Sequence, residues 1–285
     1  MMFDPTVLDG VCTICGATDE DFLPAAQRRN RFARLGTYSK IVAGLQWNAA
    51  AIDLTADSQA WPGLPEPRRE LLTKLVSSFR VAEDAVSEHL TPFTKATDDT
   101  LVAWVFFLQR RDEDRHKELF DRIAAEVVGI PGDTPDERRD AARENVPAPL
   151  LELFEERLPA MAEGLASGST GLDEGVGLYH MMLEGVVFAA GQRALINDLT
   201  EGSLPGMREG VGRVELDERW HVGFGLRCLA ESRPSPGLVE ELMDRARDAA
   251  DVWGDLVPAP LRKFVVDMCH RRLSAAGLLA AREAA

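Results

Sequence analysis

Residues 113–116 read Glu-Asp-Arg-His and residues 218–221 read Glu-Arg-Trp-His, so each stretch places a glutamate three residues before a histidine. Both stretches lie where apolar residues recur at helical spacing, which predicts helix. On a helix this spacing separates the two side chains by about 60° around the axis and one turn along it. Each pair can therefore reach one metal ion. A single pair of this kind occurs by chance in many helices, but two pairs on separate helices are more informative.

Two further glutamates lie in apolar surroundings on other segments. Glu184 lies in the run 181–190 (Met-Met-Leu-Glu-Gly-Val-Val-Phe-Ala-Ala), where it has no charged neighbour. Glu83 shares a predicted helical face with apolar side chains, although Asp84 and Glu88 are nearby and stay open as alternatives. An isolated buried carboxylate costs on the order of several kcal/mol, so we expect something to neutralise these groups.

The helical pattern covers most of the chain. Ala, Leu, Glu and Arg dominate, and alternating β-branched stretches are almost absent, which favours an all-α fold. Breaks rich in proline and glycine separate helices predicted at 24–46, 66–97, 98–128, 136–165, 171–200, 206–231, 236–256 and 259–282.

The long helices and the acidic residues together predict the architecture. One glutamate from each of two helices and Glu-x-x-His from each of two others is typical of ferritin-like dimetal carboxylate proteins. We therefore predict an all-α protein with a ferritin-like four-helix bundle core and additional flanking helices. We expect a single domain over residues 24–285, preceded by a flexible N-terminal extension over residues 1–23.

The charges of this residue set favour a pair of divalent ions. Four glutamates contribute four negative charges and two neutral histidines contribute none, so two divalent ions would balance the site. Oxygen-rich ligation with one imidazole per ion suits iron or manganese, whereas a structural zinc site favours thiolates. We expect two metal ions, Mn/Fe or Fe/Fe, with O2 as the co-substrate. The alternative is that both Glu/His pairs lie on solvated helix faces.

Composition excludes several other classes of function. The chain has 285 residues, with 32 Lys plus Arg against 47 Asp plus Glu, and a formal net charge of -15. Such a surface repels nucleic acid and anionic membranes. The apolar runs are too short to span a bilayer, and the sequence starts without the pattern of a signal peptide. The four cysteines are too few for a disulfide framework, so we expect a cytoplasmic protein without a membrane span.

The motifs resemble those of the ribonucleotide reductase small-subunit superfamily, and within it the ligand-binding oxidases with a mixed manganese–iron site. The resemblance runs from about Trp47 to Leu229. Residues 83–86 (Glu-Asp-Ala-Val) are similar to the first-ligand motif, and residues 113–116 match the second. Residues 179–185 (Tyr-His-Met-Met-Leu-Glu-Gly) resemble the third motif, and 217–221 (Asp-Glu-Arg-Trp-His) the fourth. The metal ligands that the resemblance implies are Glu83, Glu113, His116, Glu184, Glu218 and His221.

The resemblance also implies roles for residues around the ligands. In these oxidases an oxidised site forms an ether link between a valine and a tyrosine, whose counterparts here are Val86 and Tyr179. Asp217 would bond the free ring nitrogen of His116 and fix its tautomer. Trp47 would deliver an electron through this Asp–His pair, with a purely packing role as the alternative.

The sequence also departs from the family. Phe120 stands four residues after His116, where many reductase subunits carry the radical tyrosine, and residues 277–285 contain no tyrosine. Gln192 and Arg193 replace the Tyr-Tyr that often follows the third ligand in the oxidases. This change is expected to alter the shape of any bound long-chain ligand. Arg193, with Gln192 beside it, is a candidate to receive a substrate carboxylate, and a surface helix arginine is the alternative.

Other metal-ligating residue types are assigned to different roles. Cys12 and Cys15 look like half of a zinc ribbon, but no second pair completes it, so we expect a metal-free extension. His89 and His180 flank the expected site and are interpreted as core or supporting histidines rather than ligands. We expect His270 on the surface.

The function expected from these features is O2-activating oxidation by a dimetal carboxylate enzyme. The substrate would be a small or medium-sized apolar or amphiphilic organic molecule, or a bound amphiphile, oxidised by two electrons in the bundle core. A reductant would supply electrons, and we expect a homodimer. Two alternatives stay open. One is a ribonucleotide reductase small subunit without a tyrosyl radical, and the other is a non-catalytic iron-binding ferritin-like protein.

Overall fold

The computed structural model describes residues 35–199 and 202–279. Within these ranges the chain is helical and contains no β-strand. The extension predicted over 1–23, with Cys12 and Cys15, and the predicted helical residues 24–34 lie outside the described residues. None of the helices in the described part combines the length and the hydrophobicity that a lipid bilayer requires of a spanning segment.

The helices are named α1 to α11 in chain order. Two of them, α7 over 148–167 and α8 over 172–199, are continuous helices with a π-helical section inside. The others are α1 (Leu35–Gly44), α2 (Thr55–Ala60), α3 (Glu66–His89), α4 (Thr91–Lys95), α5 (Thr100–Ile123), α6 (Pro135–Ala142), α9 (Pro205–Ser232), α10 (Pro236–Asp251) and α11 (Ala259–Ala275).

Four long helices form the bundle core. The short α4 connects α3 to α5, and these two pack against each other, while α8 packs against α9 and α9 also contacts α5. The flanking α1 lies on α5 and α9, and α10 and α11 cover α8. The buried aromatic side chains of this interior include Phe79 and Phe120, whose rings stack 5.0 Å apart between α3 and α5. The predicted all-α bundle with flanking helices is confirmed.

The start of α9 depends on a helix that the sequence pattern did not predict. Asp57, on the six-residue α2, is fully buried and accepts hydrogen bonds from the backbone N–H groups of Gly206 and Met207 at 2.8 and 2.7 Å. These N–H groups lie in the first turn of α9, where no backbone partner is available within the helix. The Asp57 carboxylate therefore fixes the beginning of a helix that carries two of the candidate ligands.

Three of the predicted helices are divided or end early, and proline accounts for the first two of these differences. The helix predicted over 136–165 is divided, because the chain passes through a short 3-10 turn at Arg143–Asn145 and Val146 is extended before Pro147. The helix predicted over 66–97 ends at His89, and α4 follows with Pro92 in its first turn. The helix predicted over 236–256 ends at Asp251, and a 3-10 turn follows.

The central part of α8 is π-helical from Gly177 to Phe188. A π-helix has a wider turn than an α-helix, so the side chains of this section project in directions that a regular α-helix would not give them. Glu184 lies in this section. The helix predicted over 171–200 therefore has nearly the predicted ends, but its middle section is π-helical rather than α-helical. Such π-helical turns are frequent at functional sites.

An ion-pair network on α5 provides a test of stability. The Asp121 carboxylate accepts hydrogen bonds from Arg80 on α3 and from Arg138 on α6, at 3.1 and 2.6 Å. Burial opposes ionisation of Asp121, but the two guanidinium groups outweigh it and hold the pKa of Asp121 below its usual value. A carboxyl group with a lowered pKa stabilises the fold above pH 4, and this contribution is lost as the pH falls through the lowered value.

Replacing Asp121 with asparagine is expected to lower the free energy of unfolding at pH 7 by about 1–2 kcal/mol, because the charge-assisted hydrogen bonds from two arginines weaken in a partly exposed position. Urea denaturation followed by circular dichroism measures the change. Asp244→Asn, on the exposed face of α10, is the control and should leave stability unchanged. The difference in the free energy of unfolding between wild type and Asp121→Asn should shrink below pH 4. A difference that is as large below pH 4 as at pH 7 would contradict a stabilising role for the Asp121 charge.

Candidate metal centre

Six glutamate and histidine side chains from the four core helices meet in the interior of the bundle. Their ligand atoms form two groups, and within each group the atoms lie within 4.8 Å of one another. All of these side chains are buried. The first group contains Glu83, Glu113, His116 and Glu218, and the second contains Glu113, Glu184 and His221. Glu113 belongs to both groups, so the arrangement is suited to two neighbouring ions.

The carboxylates lie around one nitrogen of each imidazole. Nδ1 of His116 is 3.1 Å from Glu113 Oε2, 3.5 Å from Glu218 Oε1 and 3.7 Å from Glu83 Oε2. Nδ1 of His221 is 3.3 Å from Glu113 Oε1, 3.4 Å from Glu184 Oε1 and 3.5 Å from Glu218 Oε2. The two oxygens of Glu113 face different histidines, and so do the two oxygens of Glu218.

The neighbours of Glu83 are excluded from this group by their positions. Asp84 is buried, but it pairs with Lys117, with Arg139 at 2.9 Å and with Arg80 at 3.6 Å, away from the histidines. Glu88 is exposed. Of the three acidic residues left open by the sequence, the structure therefore places Glu83 with the other candidate ligands.

The other ring nitrogen of His116 faces Asp217 on α9. Nε2 of His116 lies 3.2 Å from Asp217 Oδ2, and the same oxygen accepts hydrogen bonds from Trp47 Nε1 at 2.7 Å and from Arg115 at 3.1 Å. The ring of Trp47 lies nearly parallel to that of His116, with 6.3 Å between centroids. Because Trp47 is only half-buried, these contacts lead from the protein surface to a candidate ligand.

Asp112 holds the corresponding position beside His221, and our sequence reasoning missed it. Its Oδ2 lies 3.7 Å from His221 Nε2 and accepts a hydrogen bond from Trp220 Nε1 at 3.1 Å. A signal was present, because Asp-Glu-x-x-His occurs at 112–116 as well as at 217–221. The two halves of the centre are thus related by the same five-residue pattern, although Trp220 is fully buried and Trp47 is not.

A buried amide supports Glu184 and was also missed. Gln109 Nε2 donates a hydrogen bond to Glu184 Oε1 at 2.6 Å, and its own carbonyl oxygen lies 3.0 Å from His180 Nε2. His180 is buried, and burial lowers its pKa to about 3, so it is neutral at ordinary pH. This neutral ring can donate to Gln109 and so orient the amide toward Glu184. Nothing in the local sequence distinguishes Gln109 from a surface glutamine.

Both residues of the predicted cross-link pair are buried in the bundle interior. The Tyr179 hydroxyl donates a hydrogen bond to Glu113 Oε1 at 3.3 Å, and both Tyr179 and Val86 are fully buried. Burial and the neighbouring carboxylates raise the pKa of Tyr179 well above its usual value, so the phenol keeps its proton. Phe120 is fully buried and stacked on Phe79, so the position of the reductase radical tyrosine has no hydroxyl group here.

The buried carboxylates lack the partners that a polar group in a protein interior requires. Both oxygens of Glu83, both oxygens of Glu218 and one oxygen of Glu184 have no hydrogen-bond partner among the described residues. Such groups destabilise a fold unless a cation satisfies them. Four carboxylates with one imidazole on each side form an oxygen-rich donor set, which suits iron or manganese. The residues therefore fit a pair of such ions.

The pKa values of these residues show the same electrostatic imbalance. Burial raises the pKa of Glu83 to about 8 and that of Glu184 well above its usual value. Burial opposes ionisation of Glu218 too, but the imidazoles of His116 and His221, each 3.5 Å from one of its oxygens, outweigh it and lower the pKa to about 2. Burial opposes protonation of the two histidines, but the surrounding carboxylates raise both of their pKa values well above the usual range. Without a metal ion the cluster thus retains protons, which bound cations would replace.

The remaining sequence candidates lie outside the two groups. Gln192 is buried and Arg193 is half-buried, and both line a cavity that reaches Glu184 and Glu218. His89 bonds to the carbonyl oxygen of Ala85 at 2.7 Å and belongs to neither group. His270 is half-buried, so its predicted surface position is only partly correct.

Comparisons with known proteins agree with this architecture. No protein-family model matches the chain. Among solved structures, two point mutants of an R2-like ligand-binding oxidase with an anaerobically reconstituted Mn/Fe cofactor match with TM-scores of 0.69 and 0.71, at 21% and 22% sequence identity. A third, with an aerobically reconstituted Mn/Fe cofactor, matches with a TM-score of 0.70 at 21% identity. In all three, the match covers 85% of this chain and 92% of the other chain. The chain thus has the fold of these R2-like proteins, as its motifs predicted.

Proposed function

We propose that this chain is a dimetal carboxylate oxidoreductase that uses O2 to oxidise a small organic molecule by two electrons. The observation that carries the proposal is the pair of buried groups sharing Glu113, with carboxylate oxygens that have no other partner among the described residues. The proteins of similar fold are ligand-binding oxidases with a Mn/Fe cofactor, which supports the assignment. Glu83, Glu113, His116, Glu184, Glu218 and His221 would hold the metals.

The protein residues around the ions would position the ligands and control access. Two iron or manganese ions, when bound, would supply the redox chemistry with O2. Asp217 and Asp112 would orient the two imidazoles, and Gln109 would orient Glu184. The aromatic packing around His180 and Phe106 excludes bulk water from this side of the centre. Trp47 would pass electrons from an external reductant through Asp217 to His116.

The proposal includes an ether cross-link between Tyr179 and Val86. A new bond between the phenol oxygen and a carbon of Val86 replaces the O–H bond of one residue and a C–H bond of the other. The reaction releases two electrons and two protons, which O2 accepts. The hydrogen bond from Tyr179 to Glu113 supports this role, because it places the phenol against the centre. Mass spectrometry after aerobic metal loading should find a linked peptide pair lighter by two hydrogen atoms.

The absence of a hydroxyl at Phe120 favours an oxidase over a reductase subunit that stores a tyrosyl radical. A reductase subunit could instead store its oxidising equivalent on the metals. Adding a large catalytic subunit and a nucleoside diphosphate tests this alternative, because reduction of the nucleotide would contradict our proposal.

A storage protein would take up many iron ions per chain, whereas an oxidase should hold about two. Sedimentation of the metal-loaded chain tests whether it is the homodimer that we expect.

The decisive experiment identifies the metals and their positions. Crystals of protein supplied with both manganese and iron should show two anomalous peaks between the six side chains when data are collected at both metal edges. Elemental analysis of the same preparation should give two ions per chain. The absence of a peak near His116 and His221 would overturn the proposal.

Glu184→Ala is expected to reduce the metal content from about two ions to about one ion per chain. Glu184 contributes to only one of the two groups, and the other group stays complete in the variant. Elemental analysis gives the stoichiometry, and far-UV circular dichroism should show unchanged helicity. Glu174→Ala, at an exposed position of the same helix, is the control and should keep both ions. Equal metal content in Glu184→Ala and wild type would contradict the ligand assignment.

A further inference from the structure

The first turns of α5 carry apolar side chains on every side of the helix. Residues 101–108 read Leu-Val-Ala-Trp-Val-Phe-Phe-Leu. A helix that is apolar all round is normally covered all round by other parts of a protein. Here one side of the run, with Val105 and Phe106, is buried in the core, whereas the other side faces solvent. The exposed side therefore lacks the cover that such a composition calls for.

Three large side chains form this exposed side, which we call the α5 patch: Leu101, Trp104 and Phe107. They are 39%, 48% and 41% exposed, and they are the exposed large apolar side chains of the described ranges. The rings of Trp104 and Phe107 stack on each other, with 5.3 Å between centroids and 22° between planes. An exposed apolar cluster of this kind is typical of a protein–protein interface, whose centre is enriched in aromatic residues.

Opposite charges lie at the two ends of the α5 patch. Asp98 and Asp99 precede its first residue, Arg110 and Arg111 follow its last, and all four are exposed. With a rise of 1.5 Å per residue, each pair lies about 7–11 Å from the middle of the patch along the helix. The face is thus acidic at one end, aromatic in the middle and basic at the other end.

This order of charges makes the face complementary to a second copy of itself. In a two-fold symmetric contact the same patch is used by both copies, and two α5 helices that cross at the patch would run antiparallel. Trp104 of each copy would then meet Phe107 of the other, and Arg111 of each would approach Asp98 of the other. A parallel arrangement would instead place like charges side by side.

We propose that the α5 patch is the contact surface between two copies of this chain. The net charge of -15 makes two copies repel each other at long range, but salt screens such repulsion beyond about 8 Å at physiological ionic strength. The local pairs of opposite charge are closer than this and favour the contact. The same net charge disfavours an anionic membrane as the partner. The homodimer of the proposed function thereby gains a specific surface.

Sedimentation of the full-length, metal-loaded chain over a range of concentrations tests the contact. Wild type should be a dimer at high concentration and should dissociate on dilution, since a contact centred on one helix is small for a protein interface. Trp104→Asp should weaken dimerisation by at least about 30-fold, because it places a charge at the aromatic centre. A monomeric wild type, or a Trp104→Asp variant as dimeric as wild type, would overturn the proposal.

A pair of charge reversals tests the antiparallel geometry. Arg111→Glu and Asp98→Lys should each weaken dimerisation by about tenfold, because each places like charges at both symmetry-related contacts. A mixture of the two variants should dimerise about tenfold more tightly than either variant alone, since each reversed charge then meets the other reversed charge. Arg247→Glu, at an exposed position of α10, is the control and should dimerise like wild type. A mixture as weak as the separate variants would overturn the pairing.

Other occupants of the α5 patch give different results. If an electron-donor protein bound there, Trp104→Asp would stay dimeric and lose turnover only with that donor. If residues 1–34 covered the patch, Trp104→Asp would sediment like wild type. Metal content and O2 uptake are separate readouts, so Trp104-dependent dimers that hold no metal would support the surface and contradict the proposed oxidation chemistry. Conversely, a dimer that is insensitive to Trp104→Asp but holds two ions would overturn the surface alone.

Discussion

Replacing Glu113 with alanine is expected to remove both metal ions and to reduce substrate-dependent O2 consumption by at least about 100-fold. Glu113 is the residue common to the two groups, and its two oxygens face different histidines at 3.1 and 3.3 Å. Loss of a residue that only supports a ligand already reduces metal affinity or activity by about 10- to 100-fold. Loss of a carboxylate shared by both ions should therefore exceed that effect. Elemental analysis and an oxygen electrode measure the two quantities.

The comparison variant for this test is Glu118→Ala. Glu118 lies on the same helix as Glu113, but it is exposed and belongs to neither group. It should bind two ions and consume O2 like wild type. Far-UV circular dichroism of Glu113→Ala should show the helical content of the wild-type protein. A folded Glu113→Ala protein that still holds two ions would show that the two groups do not share this residue.

Replacing Asp217 with asparagine is expected to reduce the rate of substrate oxidation by about 10- to 100-fold. Asparagine has the shape of aspartate but carries no charge, so it weakens the contacts with His116 and Arg115. If Asp217 also links Trp47 to His116, repeated turnover with an external reductant should slow more than a single turnover of the pre-reduced protein. Rapid mixing with O2 measures the single turnover, and an oxygen electrode measures repeated turnover.

Asp112→Asn is the matched control for electron delivery. Asp112 occupies the same position relative to His221, but its tryptophan partner, Trp220, is fully buried and offers no route to the surface. This variant should lower metal affinity without a selective loss of repeated turnover. Trp47→Phe should show the opposite result, with both ions retained and repeated turnover slowed. If Trp47→Phe behaves like wild type, then the tryptophan only packs against the site.

The candidate ligands were predictable because local spacing decides most of them. A glutamate and a histidine three residues apart on a helix face the same direction whatever the helix packs against. The lone carboxylate of Glu184 was visible because its run has no other charge. Glu83 was less clear, since Asp84 and Glu88 adjoin it, and the choice required the ion pairs that hold Asp84 elsewhere.

Residues that act through another helix were harder to find. Asp112 had a signal in the repeated Asp-Glu-x-x-His pattern, but Gln109 had none. Gln109 meets Glu184 across 75 positions of sequence. A glutamine on a helix is ordinary on any surface, so only its neighbours in space reveal its role.

Local sequence alone determined the all-α fold, the approximate extent of the long helices and the residue types suited to two metal ions. Those properties depend on contacts within a few residues, where helical periodicity applies. The tertiary structure decided that Glu113 belongs to both groups, that Asp217 and Asp112 each face one imidazole, and that the α5 patch faces solvent rather than the core. These features depend on the rotation and register of one helix against another, which packing throughout the core sets and no short stretch of sequence encodes.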